Sequence, residues 1–222
     1  MMSIGEAGDT RRLRFLAASS LLFVLTHLAS MLVVGIGVAS RAPADSRLSE
    51  EFEEILWAIS RPAPYRVGMT LNAATWLAAS ALLITFAAVL ARRAPIRSAF
   101  IMACGIGQVL GVIVGVFRVQ GVGELATRYV TATPEQQANL LWSYQDIDLV
   151  MDSLFTVHWA LFSLAFVLAA SVARTMAEFP RWLTVGLALL GVFGVAHPVI
   201  LLLTGANIGK LTFAAFIRVY AE

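Results

Sequence analysis

Charge is the scarcest commodity in this chain. Asp, Glu, Lys and Arg make up only 14% of its 222 residues, against about 25% in an ordinary soluble domain. That excludes a disordered polyelectrolyte, a coiled coil and a conventional water-soluble globule. Lysine is almost missing, with Lys210 alone, and the arginines lie scattered between apolar runs. The net charge of +2 therefore marks no basic patch, and nucleic acid is not an expected partner. A single cysteine, Cys104, excludes an intramolecular disulfide and any cysteine metal cluster. It sits in an apolar run and reads as a small packed side chain. Missing too are a Walker loop, G-x-S-x-G, H-E-x-x-H and C-x-x-C. Gly105-Ile106-Gly107 lies inside an apolar run with no preceding strand, so it is no dinucleotide fingerprint.

What is abundant is apolar surface, 59% of residues with a mean hydropathy of +0.80. A chain this short has no water-facing fold that could hide so much of it, so the expected solvent is lipid. A bilayer core needs about 20 apolar residues per helix. Runs of that kind occupy about 13–39, 69–91, 97–120, 149–173 and 182–203. A shorter stretch at 208–220, broken by Lys210 and Arg218, reads as a short, re-entrant or interfacial helix. The expected fold is an all-α polytopic transmembrane bundle in one domain: five full spans, a short sixth C-terminal helix, and amphipathic helices in the outer loops. Arg11, Arg12 and Arg14 imitate a signal peptide, but the run from Phe15 to about Val38 is too long for one.

Arginines also set the expected orientation. The N-terminal group, the Arg92-Arg93-Ala94-Pro95-Ile96-Arg97 link and the Arg174 to Arg181 link share one side. By the positive-inside tendency that side is the cytoplasm, in a bacterial-type inner membrane. Loops 40–68 and 119–148 then face outward. In the first, Ser49, Glu50 and Glu51 suit a helix start. Leu48, Phe52, Ile55, Leu56 and Ile59 give that helix an apolar face expected to lie on the membrane surface. Arg61-Pro62-Ala63-Pro64 should end it. In the second, Thr133-Pro134-Glu135-Gln136 has capping-box spacing and starts a helix that runs towards the fourth span.

Few polar groups fall inside the spans, and acids at bilayer depth usually line a polar interior. Asp148 and Asp152, four apart, stand one above the other on a helix. Thr156, Trp159 and Ser163 continue that side. Arg118, near the same end of the third span, is a partner for either acid. Asn72, Trp76 and Ser80 share a face of the second span, and Gln108 needs a hydrogen-bond partner mid-membrane. The candidate ligand-binding set is Arg118, Asp152, Asn72, Gln108 and His197, facing an outward pocket. Interhelical hydrogen bonding explains the same residues without a ligand. Asp148 and Asp152 are also the candidate catalytic acids.

His27, His158 and His197 lie on three different spans, and together could hold a metal or a haem. None has a histidine four residues on or an adjacent carboxylate, so packed histidines bonding between helices are the favoured reading, and no cofactor follows from the sequence. Gly107, Gly111 and Gly115 form a groove for close helix approach, within the chain or with a partner helix or second copy.

Tyr65-Arg66-Val67-Gly68 before the second span and Phe179-Pro180-Arg181-Trp182-Leu183 before the fifth resemble motifs of an uncharacterised family of small six-helix bacterial multi-pass membrane proteins. The resemblance covers most of the chain from about residue 15. It implies six helices and a structured first outer loop. It carries over no catalytic residues, and the shortened last helix departs from the pattern.

Three function classes stand open. One is a small-molecule or lipid binding, transport-associated protein. The second is a membrane enzyme on an isoprenoid or other lipid, with Asp148 or Asp152 as acid or metal–diphosphate ligand and Trp76, Trp142 and Trp159 facing a carbocation. The third is a structural or assembly partner in a membrane complex.

Overall fold

The computed structural model describes residues 4–39, 53–176 and 179–204, and these residues contain helices and no strand. The elements are α1 (Ile4–Ala39), α2 (Glu53–Ser60), α3 (Pro62–Leu90), α4 (Pro95–Gly107), α5 (Val109–Phe117), a π-helical turn (Arg118–Val122), α6 (Gly123–Thr131), α7 (Pro134–Ala173) and α8 (Arg181–Thr204). Four helices are long and apolar enough to cross a membrane, within 14–34, 62–90, 95–131 and 134–173. α8 is 24 residues long, with a shorter apolar stretch. The stretch at 208–220, together with Ser49, Glu50 and Glu51, lies outside the described residues.

Close contacts at glycines order the bundle. Gly68 of α3 faces Val33 and Val34 of α1, Gly105 faces Leu83 and Ile84 of α3, and Gly115 faces Ala73. α3 therefore runs antiparallel to α4 and α5 and lies at the centre. Gly107 meets Leu161 of α7, while Gly191 and Gly194 of α8 meet Val167 and Ser163. The Gly107, Gly111 and Gly115 groove is thus filled by α3 and α7 of the same chain. The main core joins Trp76, Leu83, Phe86, Ile101, Phe162 and Phe166 from these helices. Large apolar side chains stay exposed along α1 (Leu21, Leu25, Leu32), α4–α5 (Phe100, Ile106, Phe117) and α8 (Leu190, Phe193). Water would penalise such a surface, whereas hydrocarbon does not, so a bilayer is its fitting environment.

The segment 95–131 is not one straight rod. At Gln108 the backbone N–H bonds back three residues to the carbonyl of Gly105, interrupting the α ladder between α4 and α5. A second irregularity, the π turn, begins at Arg118. α7 runs unbroken for 40 residues, opened by the full Thr133/Gln136 capping box. At about 1.5 Å per residue this helix is roughly 60 Å long, twice the bilayer core. Its first turns therefore stand beyond the apolar belt.

There they meet α2 and α6 in a second core of Ile55, Trp57, Ala58, Tyr65, Met69, Val122, Ala126 and Tyr144. The described part of α2's apolar face, Ile55 with Ile59 beside it, is consequently docked on the protein itself, which corrects the expectation of a membrane-lying helix there, while Leu48 and Phe52 lie outside the described residues. The reason is competition: the projecting ends of α3, α6 and α7 offer a packed aromatic surface directly beside it, including an edge-on Trp57–Tyr65 contact at 5.1 Å. Pro62 occupies the first turn of α3, so the proline pair starts the next helix as well as closing α2.

Candidate functional site

Helical spacing puts Asp148 and Asp152 on one side of α7, and both accept from the same nitrogen of Arg118. The Nη2 distances are 3.1 Å to Asp148 and 3.4 Å to Asp152. Nη1 is paired with Glu54 of α2. Glu54 is in turn held by two phenols: Tyr65 Oη lies 2.9 Å from Oε1, and Tyr144 donates to Oε2 at 3.2 Å. The one proton of the Tyr65 hydroxyl is shared between Glu54 and the backbone carbonyl of Arg118, 2.7 Å away. Two helices, α2 and α7, thus converge on the guanidinium that the π turn supplies, while Tyr65 of α3 holds Glu54 and the Arg118 carbonyl.

Depth along the helix explains why charge is tolerated here. From Asp152 to the end of α7 at Ala173 the helix runs roughly 30 Å, about one hydrocarbon thickness. The centre therefore falls at a boundary between apolar belt and projecting head. It is partly sheltered: the Glu54 side chain is 12% exposed and that of Arg118 21%, while Asp152 at 36% is the most open member. Three carboxylates sharing one guanidinium respond to a proton, a cation or a competing anion, because each changes how the donors are divided.

The other sequence candidates go elsewhere. Asn72 accepts from Trp76 Nε1 one turn on, at 3.0 Å. Gln108 is fully buried, and its amide donates to the carbonyls of Cys104 at 3.0 Å and His158 at 3.4 Å. His158, also fully buried, has an aromatic surround of Trp76 at 4.2 Å and Phe155 at 4.8 Å. Neither of its ring nitrogens reaches a hydrogen-bond partner. His27 stacks on Phe23 at 5.7 Å. His197 belongs to α8, and its side chain lies outside what is described. Among the described residues no three or more His, Cys, Asp or Glu side chains are grouped to hold a metal. Trp76 and Trp159 meet at 5.4 Å, whereas Trp142 is 70% exposed.

Sequence reasoning left out Glu54, Tyr65 and Tyr144. Glu54 had a signal: it precedes Trp57 by three and Ala58 by four residues, so it shares their helix face. An acid on an apolar face asks for a buried partner, unlike an acid on the solvent side. Tyr65 and Tyr144 are far apart in the chain and had no such periodic marker.

Comparison with protein-family models, curated proteins and solved structures finds no match to this chain.

Proposed function

We propose that this chain is a multi-pass integral protein of a bacterial-type inner membrane, with a cytoplasmic N-terminus and the α2 end outward. In this reading it binds a small molecule or lipid in a transport-associated role through the centre around Arg118. The observation that carries it is the sharing of one guanidinium by Glu54, Asp148 and Asp152 from two separate helices. A lock for α2 alone needs only Glu54. The two further acids bind the same group from the membrane-spanning helix and connect the cap to the bundle. Arg118 acts as the charge partner and Asp152, the most open acid, as the proton carrier or ligand contact. Asn72 and Gln108, each bonded inside the bundle, take no part in this centre. The six-helix bacterial family resembled by the Tyr65–Gly68 and Phe179–Leu183 motifs is the family we propose.

The test is a mass-spectrometric search for a small molecule co-purifying with the full chain, repeated on Asp152→Asn and Arg118→Gln. The expected result is a ligand retained by the native chain and lost or weakened in folded variants. Folded variants that keep the same ligand content and every assayed phenotype would overturn the reading.

A further inference from the structure

At the end of the bundle away from α2, α4 and α7 bring two arginines to one level. Arg97, in the first turn of α4, donates from Nη1 to the side-chain oxygen of Ser171 at 3.2 Å and to its carbonyl at 3.4 Å. Arg174 caps the C-terminus of α7 three residues beyond Ser171. Both arginines are exposed, and neither makes an ion pair among the described residues. No acid occurs from Arg92 to Gly123 or from Ser153 to Ala177, so α4 and this half of α7 bring none here. The first turn of α4 also lacks a side-chain cap, and an open helix N-terminus adds to the attraction for an anion.

From these cations a seam between α4 and α7 runs into the apolar belt. Two contacts bracket it: Arg97 with Ser171 at one end, and at the other Gly107, where a Cβ would lie 2.6 Å from Leu161 Cδ1. Phe100 is seven residues from Gly107 and Leu164 seven from Ser171, about two turns, so each shares the face of its contact residue. Phe100 is 59% exposed and Leu164 43%. They stand roughly 5 and 10 Å deeper than Arg97 and Ser171 along their helices. Ala173 closes the roughly 30 Å from Asp152 that matches a hydrocarbon core, which puts Arg174 at the opposite headgroup boundary. Phe100 and Leu164 are then at acyl depth, inside the spanning segments 95–131 and 134–173. Two cations at headgroup level above exposed apolar side chains fit an anionic amphiphile. We propose that an anionic phospholipid of the surrounding bilayer binds here, its phosphate between Arg97 and Arg174 and an acyl chain along Phe100 and Leu164. The Arg118 centre is at the other end of these helices, and the site does not rest on the function proposed above.

Native mass spectrometry of the full chain, released from nanodiscs of equal phosphatidylglycerol and phosphatidylcholine, tests this directly. The native chain should retain phosphatidylglycerol over phosphatidylcholine by about 25-fold, about fivefold for each arginine at headgroup level. Arg97→Gln and Arg174→Gln should each cut that preference about fivefold, and the double variant should abolish it. The Arg174 side chain makes no hydrogen bond among the described residues, so its variant keeps the test decisive even if Arg97→Gln fails to fold. Arg14→Gln controls for charge in general. Arg14 is exposed at the same end of the bundle, at the start of the apolar stretch of α1. Phe23 of α1 meets α7 at Phe162, nine residues and therefore half a turn round from Ser171. Arg14→Gln should keep the native preference. Glycerol phosphate in excess should not displace the diacyl lipid. An unchanged preference in either single arginine variant overturns the proposal. So does an equal loss in Arg14→Gln, or displacement of the lipid by glycerol phosphate.

Discussion

The phenol of Tyr65 donates to the backbone carbonyl of Arg118 across a separation of 53 residues, at 2.7 Å. The same oxygen touches Glu54, so one side chain at the start of α3 fixes both the π turn and the cap helix. Tyr65→Phe removes these bonds while keeping the ring against Trp57. A buried carbonyl and carboxylate losing a donor cost about 1–3 kcal/mol. Thermal unfolding in detergent should show that loss, together with faster proteolysis in α2. An unchanged midpoint and unchanged cleavage would show that the hydroxyl holds nothing.

Charge removal around Arg118 should be strongly graded. Arg118→Gln leaves three acids facing one another and should cost about 2–3 kcal/mol, below the range for fully buried pairs because the group is partly exposed. Asp152→Asn removes the longest and most open contact and should cost less than about 1 kcal/mol. Chemical unfolding of both variants gives the comparison. Equal losses would contradict the geometry.

Glycines 111 and 121 make opposite predictions. A Cβ on Gly111 would lie 2.7 Å from Trp76 Cγ and 3.1 Å from His158 Cδ2, whereas one on Gly121 would meet nothing. Gly111→Ala should lower the unfolding midpoint clearly. Gly121→Ala should be neutral or gain up to about 1 kcal/mol, the usual advantage of alanine in a helix. A drop for Gly121→Ala as large as that for Gly111→Ala would refute the packing described.

His158 is fully buried with neither ring nitrogen bonded to a partner. Replacing an unsatisfied buried polar group by an apolar one is close to neutral or stabilising. His158→Leu should therefore keep or raise the melting midpoint. A fall of more than about 2 kcal/mol would mean that the imidazole has a partner worth an ordinary buried bond.

These contrasts mark what could be read from the amino acids alone. Long apolar runs and the Thr133–Gln136 box act locally, so the helices and the start of α7 followed from spacing. The depth match of Arg118 with Asp148 and Asp152 followed from helical rise, and the structure brings those three together. Where α2 rests did not follow, because periodicity defines an apolar face without saying whether lipid or protein covers it. Glu54 was hidden for the same reason: its partner lies on a helix whose position beside α2 is a tertiary fact. Asn72 and Gln108 were drawn away by nearer partners, an indole one turn along and two backbone carbonyls.

Arg61 is the whole connection between α2 and α3, and its amide and carbonyl are both already bonded, to Trp57 and Tyr65. With no slack at that joint, the cap and the long helix beneath it behave as a single bent rod. Inserting one alanine beside Arg61 would swing the shorter arm by about 100° and sweep Glu54 out of reach of Arg118. The register of that one elbow, more than any loop length, decides whether the outer acid and the inner cation ever meet.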